Sequence, residues 1–239
     1  MTVFCNDMIP GFSVNTALLG PDEAHIYAVD INKADFAGNQ HLIAPDEQEK
    51  ANRYRQPADA HRLLAGRIYI KRLLARYTNA DAGDIIIKPG ANKKPFAVDR
   101  HDNQLLQFNI SHSGNIVLLV ISHKTVGIDI EEIKNIDLKD FVYNILSEQE
   151  IVVVSRSEDR RKTFFKFWTR KEALLKATGL GLVDCLPQVE MLDGVNHFGS
   201  VPFNDQDFEI FTYNPADNYT ASVCVEKGTI PLFYNAENL

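Results

Sequence analysis

Apolar and polar residues alternate with a period of two through several short stretches of this chain, and each predicts a strand. His25-Ile-Tyr-Ala-Val-Asp-Ile alternates in this way, Leu105 to Ile110, Phe208 to Tyr213 and Tyr219 to Val225 are strand-like, and Ile116 to Ser122 is a continuous apolar run that also predicts a strand. In Thr125-Val-Gly-Ile-Asp-Ile-Glu-Glu, Ile128 and Ile130 alternate with Gly127, Asp129 and Glu131, which puts two acids on one strand face. Helical spacing takes over elsewhere. Pro45-Asp-Glu-Gln-Glu opens a helix predicted over about Asp46 to Tyr54, and Asp59 caps a second that carries Leu63, Leu64, Ile68, Leu73 and Leu74 to about Thr78. Asp137 to Ile151 reads as helical, with Ser147-Glu-Gln-Glu a capping box that starts a new helix, and Ser155 to Asp159 breaks it. Arg160 to Thr178 is the last helix predicted: Trp168, Glu172 and Lys176 stack along one face, Ala173, Leu174 and Ala177 turn towards a core, and Gly179 ends it. Pro89-Gly-Ala-Asn-Lys-Lys-Pro is a turn-rich loop, and Asn109-Ile-Ser-His-Ser-Gly-Asn reads as the polar tip of a hairpin.

Composition narrows the class. With 239 residues, 45% hydrophobic and 24% charged, the chain is expected to be a soluble globular protein of one sizeable domain or two small ones. It has no apolar run long enough for a membrane span and no export signal at its start, so a cytoplasmic location is expected. A net charge of -7 argues against nonspecific nucleic-acid binding. Between Lys50 and Arg76, however, the only acid is Asp59 among many lysines and arginines, so an anionic partner is expected there. Cys5, Cys185 and Cys224 lack metal-site spacing and read as buried thiols. A faint repeat relates Ala28-Val-Asp-Ile to Gly127-Ile-Asp-Ile, and Leu73-Leu to Leu174-Leu.

Asp129, Glu131 and Glu172 could converge only around something cationic, because like charges repel and raise one another's pKa. A hard divalent ion such as Mg²⁺ meets that need and usually shares its shell with substrate phosphates, which Lys176 would also reach. Taken singly, each segment reads equally as a solvated strand edge or an ordinary Glu to Lys pair at i, i+4.

Together, Val126-Gly-Ile-Asp-x-Glu and, 43 residues from Asp129 to Glu172, Phe167-Trp-Thr-x-Lys-Glu-Ala-x-x-Lys resemble the 4′-phosphopantetheinyl transferases. The likeness is to their long type, which activates siderophore and surfactin synthetases. It implies an α+β fold: a pseudodimer of two similar α/β halves, residues 1–124 and 125–239, with the active site at their interface. It also implies a monomer that moves the phosphopantetheine arm of coenzyme A to a serine of an acyl, peptidyl or polyketide carrier protein, releasing adenosine 3′,5′-bisphosphate. By the same resemblance Asp129, Glu131 and Glu172 hold Mg²⁺. Lys176, His112 and Ser111 meet the coenzyme's phosphates, Lys50 and Arg62 grip its 3′-phosphate, and Lys94 is a further contact. Glu47 and Lys93 depart from the family pattern, which has a basic residue and a glycine there. The general base aligns with Glu150 only if one residue is inserted after Asp129; Glu148 and a water on the metal are its rivals. Arg160 to Lys171, with Phe164, Phe165 and Phe167, is a candidate acceptor surface, although those rings read first as core. A Mg²⁺-dependent phosphohydrolase and a noncatalytic coenzyme A or carrier-binding module are the competing readings.

Overall fold

The computed structural model describes residues 1–5, 10–11, 13–14, 18–90, 92, 94–181, 186–195 and 207–236. Strands β1 (Thr2–Cys5), β2 (Ser13–Val14) and β3 (Glu23–Asp30) come first. Helices α1 (Pro45–Asn52) and α2 (Pro57–Thr78) follow, then a ribbon of β4 (Ile86–Pro89) and β5 (Pro95–Val98) and a hairpin of β6 (Gln107–Ser113) and β7 (Ile116–Ser122). The rest is β8 (Val126–Glu132), α3 (Lys139–Ile145), α4 (Glu148–Arg156), α5 (Arg160–Thr178), β9 (Gly194–Val195), β10 (Phe208–Tyr213), β11 (Tyr219–Glu226) and β12 (Ile230–Asn235).

The alternation of side chains decides the layering. On β7, Val117, Leu119 and Ile121 face α2 and pack with Ile68, Leu73 and Leu74. Their neighbours Leu118 and Val120 point the other way and meet Ile128, Ile130 and Val223 of a second sheet. On the far side of that sheet, Phe164, Phe167 and Leu174 of α5 pack against Val3, Ile210 and Cys224. The order is therefore helix, sheet, sheet, helix. The first sheet runs β2-β12-β3-β7-β6 and the second β8-β11-β10-β1-β9. The terminal strands change places: β1 lies parallel to β10, and β12 lies parallel to β3. Burying a phenylalanine is worth about 1.5–3 kcal/mol, and Phe164, Phe165 and Phe167 are all buried, so these rings belong to the core and not to a partner surface.

Several expectations shift in detail. Helix α2 starts at Pro57 after an extended Gln56, and Asp59 pairs with Arg62 instead of capping. The stretch Asp137 to Ile151 splits at Leu146, which is extended, and Ser147 caps α4 by accepting from Glu150 N–H. Asn109 to Ser113 is strand and not a loop tip; the turn is confined to Gly114 and Asn115. Pro95–Val98, unread in the sequence, pairs across the lysine loop with Ile86–Pro89. Cys224 is buried and Cys5 half-buried, while Cys185 and Lys93 lie outside the described residues. Gly179 has φ of 69°, the left-handed conformation a helix end favours, and its N–H bonds Leu175 O. No described helix is long and apolar enough to cross a membrane.

A buried polar network fastens α2 to the first sheet. His25 is fully buried, with Nδ1 2.6 Å from the Tyr77 hydroxyl and Nε2 3.0 Å from Glu23 Oε2. Tyr27 bonds the same tyrosine, and the Tyr234 ring of β12 lies tilted against the His25 ring, 4.8 Å between centroids.

Candidate active site

The site forms where the edges of the two sheets meet. Strand β8 pairs with β11 on one side only, which would leave the backbone N–H groups of its other edge without partners. Side chains of β6 take them: Asn109 Oδ1 accepts from Ile128 N–H at 2.9 Å, Ser111 Oγ from Ile130 at 3.3 Å, and Ser113 Oγ from Glu132 at 3.0 Å. Polar residues at every second position of β6 thus replace a strand ladder. Gly127 shares the face of β8 that carries Asp129 and Glu131, and there a Cβ would collide with the α5 backbone at Ala173 and Ala177. Its absence lets Asp129 and Glu131 approach Glu172 and Lys176.

Asp129, Glu131, Glu172, Lys176, Ser111 and His112 line one cavity of about 250 Å³. Asp129 Oδ1 accepts from Ser111 Oγ at 2.8 Å and from Lys176 Nζ at 2.6 Å. Glu131 accepts from Ser113 Oγ at 2.9 Å and from Trp168 Nε1 at 3.3 Å. Two oxygens are left over: Asp129 Oδ2 and Glu172 Oε1 are buried with no hydrogen-bond partner. Burial and then the Asp129 charge push the Glu172 carboxyl up to about 7, against a lowering by Lys176, and Glu131 is raised for the same two reasons. Among the described residues, no three acidic, histidine or cysteine side chains stand in ready-made metal-binding geometry. Lys176 supplies the balancing charge, while the orphaned oxygens and raised carboxyls are what an oxygen-seeking cation would satisfy. A second cavity of about 260 Å³ shares Ile110, Glu172 and Lys176 with the first and extends it to Asn92, Lys94 and Pro95. A larger cavity, about 640 Å³, lies elsewhere, between residues 135–139 and 158–161.

Residues 125–224 match the 4′-phosphopantetheinyl transferase superfamily, and residues 31–124 match the N-terminal part of a 4′-phosphopantetheinyl transferase. The 4′-phosphopantetheinyl transferase HetI of Nostoc sp. strain PCC 7120 is 32% identical over 186 residues, covering 74% of this chain and 76% of its own. The chain belongs to the 4′-phosphopantetheinyl transferases. The transferase Sfp of Bacillus subtilis strain 168 is 29% identical over 196 residues, 80% of this chain and 85% of its own. A solved holo-[acyl-carrier-protein] synthase of Thermotoga maritima overlaps 43% of this chain and 62% of its own, at 26% identity and a TM-score of 0.33.

The remaining site residues expected in this transferase are spread more widely. Lys94 enters the groove from the first half, and its Nζ donates to Ala177 O at 2.7 Å and Val126 O at 3.3 Å. Beside it Asn92 donates to Gly179 O at 2.8 Å, so this loop caps the end of α5. His112 is exposed, yet loss of hydration, followed by the charges of Arg62 and Lys176, holds its imidazole below the ordinary value. Arg62 donates to Gly114 O at 2.6 Å and pairs with Asp59. Lys50 is exposed on α1, and neither it nor Arg62 lines the two cavities. Glu47, where the resemblance led to a basic residue being expected, holds the local fold: Oε2 accepts from Ala44 N–H at 3.0 Å, and Arg67 and Lys71 lie within 3.4 Å of its carboxylate.

Glu150 does not join the site. It is fully buried, with Oε1 taken by Met191 N–H at 2.7 Å and Oε2 by Ser147 N–H at 2.7 Å and Lys171 Nζ at 2.8 Å. Three donors and full burial close this carboxylate to a substrate. Glu148 is exposed at the start of α4. Sequence reasoning assigned no part to Asn109, Ser113 or Trp168; the signal for the first two was Asn-x-Ser-x-Ser, a polar set with the period of a strand.

Proposed function

We propose that this transferase carries the phosphopantetheine arm of coenzyme A to a serine of an acyl, peptidyl or polyketide carrier protein, with Mg²⁺ held by Asp129, Glu131 and Glu172. The observation that carries the metal reading is the pair of orphaned oxygens, Asp129 Oδ2 and Glu172 Oε1, beside Lys176 in one cavity. The acceptor serine's oxygen bonds to the pantetheine-side phosphorus, the bond from that phosphorus to the bridging oxygen breaks, and adenosine 3′,5′-bisphosphate leaves. Bound Mg²⁺ would offset the charge that grows on the leaving phosphate. Lys176, released from Asp129, turns its ammonium to the same phosphates. Neutral His112 donates a hydrogen bond to them, and Ser111 keeps Asp129 in place. Lys94 approaches the nucleotide along the extended groove, and Lys50 and Arg62 reach its 3′-phosphate from α1 and α2. With Glu150 sealed off, the serine's proton goes to Glu148 or to water.

The two-half reading finds support in strand order. Strands β3-β7-β6 and β8-β11-β10 are linked alike, each set drawn from the same succession of a strand, helices and a hairpin. We read residues 1–124 and 125–239 as a pseudodimer with the groove between them, working as a cytoplasmic monomer without nucleic acid. The test is intact mass of several apo carrier proteins after incubation with coenzyme A and Mg²⁺, using the parent chain and Glu172→Ala. A gain of one phosphopantetheine, lost in Glu172→Ala, is expected. Bisphosphate release with an unchanged carrier would instead support a phosphohydrolase, and an unchanged carrier with no release a binding module.

A further inference from the structure

Ser113 has a side chain that bonds only to β8 among the described residues. Its Oγ accepts from Glu132 N–H at 3.0 Å and donates to Glu131 Oε2 at 2.9 Å. The residue is buried, at 6% exposure. The other oxygen of Glu131 accepts from Trp168 Nε1 on α5 at 3.3 Å. Glu131 is thus held by one oxygen from the first sheet and by the other from α5. A glutamate is long and flexible, and an acid at a cation site binds best when its rotamer is set beforehand by groups that do not touch the ion. Ser111 bears the same relation to Asp129, two residues earlier in both strands, but it also contacts Lys176. A change there would mix several effects. Both bonds of Ser113 go to β8, at Glu131 and at the Glu132 N–H.

We infer that Ser113 is a positioning residue, which fixes Glu131 in the conformation that receives the divalent cation and so lets the first half of the chain set the ion affinity of the second. The inference rests on reading Asp129, Glu131 and Glu172 as the ion's ligands. It deepens that reading by adding a residue that never meets coenzyme, carrier or ion.

The experiment compares the full-length parent chain with Ser113→Ala, Ser113→Thr, Glu131→Ala and the double variant Ser113→Ala/Glu131→Ala. Mn²⁺ binding is measured by electron paramagnetic resonance with coenzyme A present and no carrier, and melting temperature is recorded alongside. Steady-state assays then give the Mg²⁺ half-saturation and the KM for coenzyme A. Ser113→Ala is expected to weaken Mn²⁺ and Mg²⁺ about tenfold while the coenzyme A KM stays put. Ser113→Thr, which keeps the hydroxyl and suits a strand, restores the affinity. In the Glu131→Ala background, Ser113→Ala adds no further loss. The inference is overturned by unchanged Mn²⁺ binding in Ser113→Ala, whatever its melting temperature, by failure of threonine to restore, or by an additive double variant. Unchanged Mn²⁺ binding in Glu131→Ala overturns the ligand assignment itself, and this inference with it; a loss there with none in Ser113→Ala overturns this inference alone.

Discussion

Glu172 holds a charge that its surroundings resist, and the sign of that resistance is open to measurement. Its carboxyl is raised from 4.5 to about 7 by burial and by Asp129. For an acid, a folded pKa above the unfolded one costs nothing below the unfolded value, and the destabilisation builds between the two values and is complete above the folded one. Glu172→Gln is therefore expected to raise the melting temperature by a few degrees at pH 8 and hardly at all at pH 4.5, in metal-free buffer. The same variant should lose carrier modification on the order of 100-fold or more, since an ion ligand contributes several kcal/mol to such a transition state. Scanning fluorimetry and carrier mass spectrometry check the two halves of this prediction; equal melting curves at pH 8 would contradict the first. The residues of the cluster were legible in the sequence because strand and helix periods each place them on one face. The capping box already committed one Glu150 oxygen to the Ser147 N–H, but the two donors that seal the carboxylate, Met191 and Lys171, come from 41 and 21 residues away and leave no local trace.

At the level of elements, α4 and α5 are joined by the Glu150 to Lys171 pair, with both side chains fully buried. Removing one partner of such a pair typically costs about 3–5 kcal/mol, because the other charge is stranded. Lys171→Met is expected to lose stability on that scale in urea unfolding. Glu150→Gln should keep the turnover number of the folded enzyme within about twofold, and a collapse of turnover in a fully folded Glu150→Gln would restore it to a catalytic part. Gly127→Ala tests the contact of β8 with α5. Overpacking against backbone costs about 1–3 kcal/mol, and the strand that shifts carries Asp129, so turnover should fall along with unfolding stability. The long helices and the β6–β7 hairpin were legible from period alone. The strand character of Asn109 to Ser113 was not, because its polar residues answer the exposed edge of a distant strand and look in the sequence like a loop.

Across the whole molecule, acid should loosen the first sheet. Burial holds the His25 imidazole below 6.5, in spite of Glu23, and the Gly20 N–H together with His25 holds Glu23 below 4.5. Both folded values lie below the unfolded ones, so each contribution is complete above the unfolded pKa and fades as pH falls through the folded one. Relative to the parent chain, His25→Phe is expected to lose less melting temperature, or to gain more, between pH 7.5 and pH 5.5. The sheet order itself was beyond the sequence: nothing in Ile230-Pro-Leu-Phe-Tyr says that it lies beside Glu23 to Ala28. The crossing of β1 and β12 has a thermodynamic consequence. Each sheet contains a strand from the opposite end of the polypeptide, so neither half is a closed unit that melts by itself. Calorimetry should therefore record one endotherm with equal van't Hoff and calorimetric enthalpies, and separately expressed fragments cut at residue 124 should gain order only when mixed.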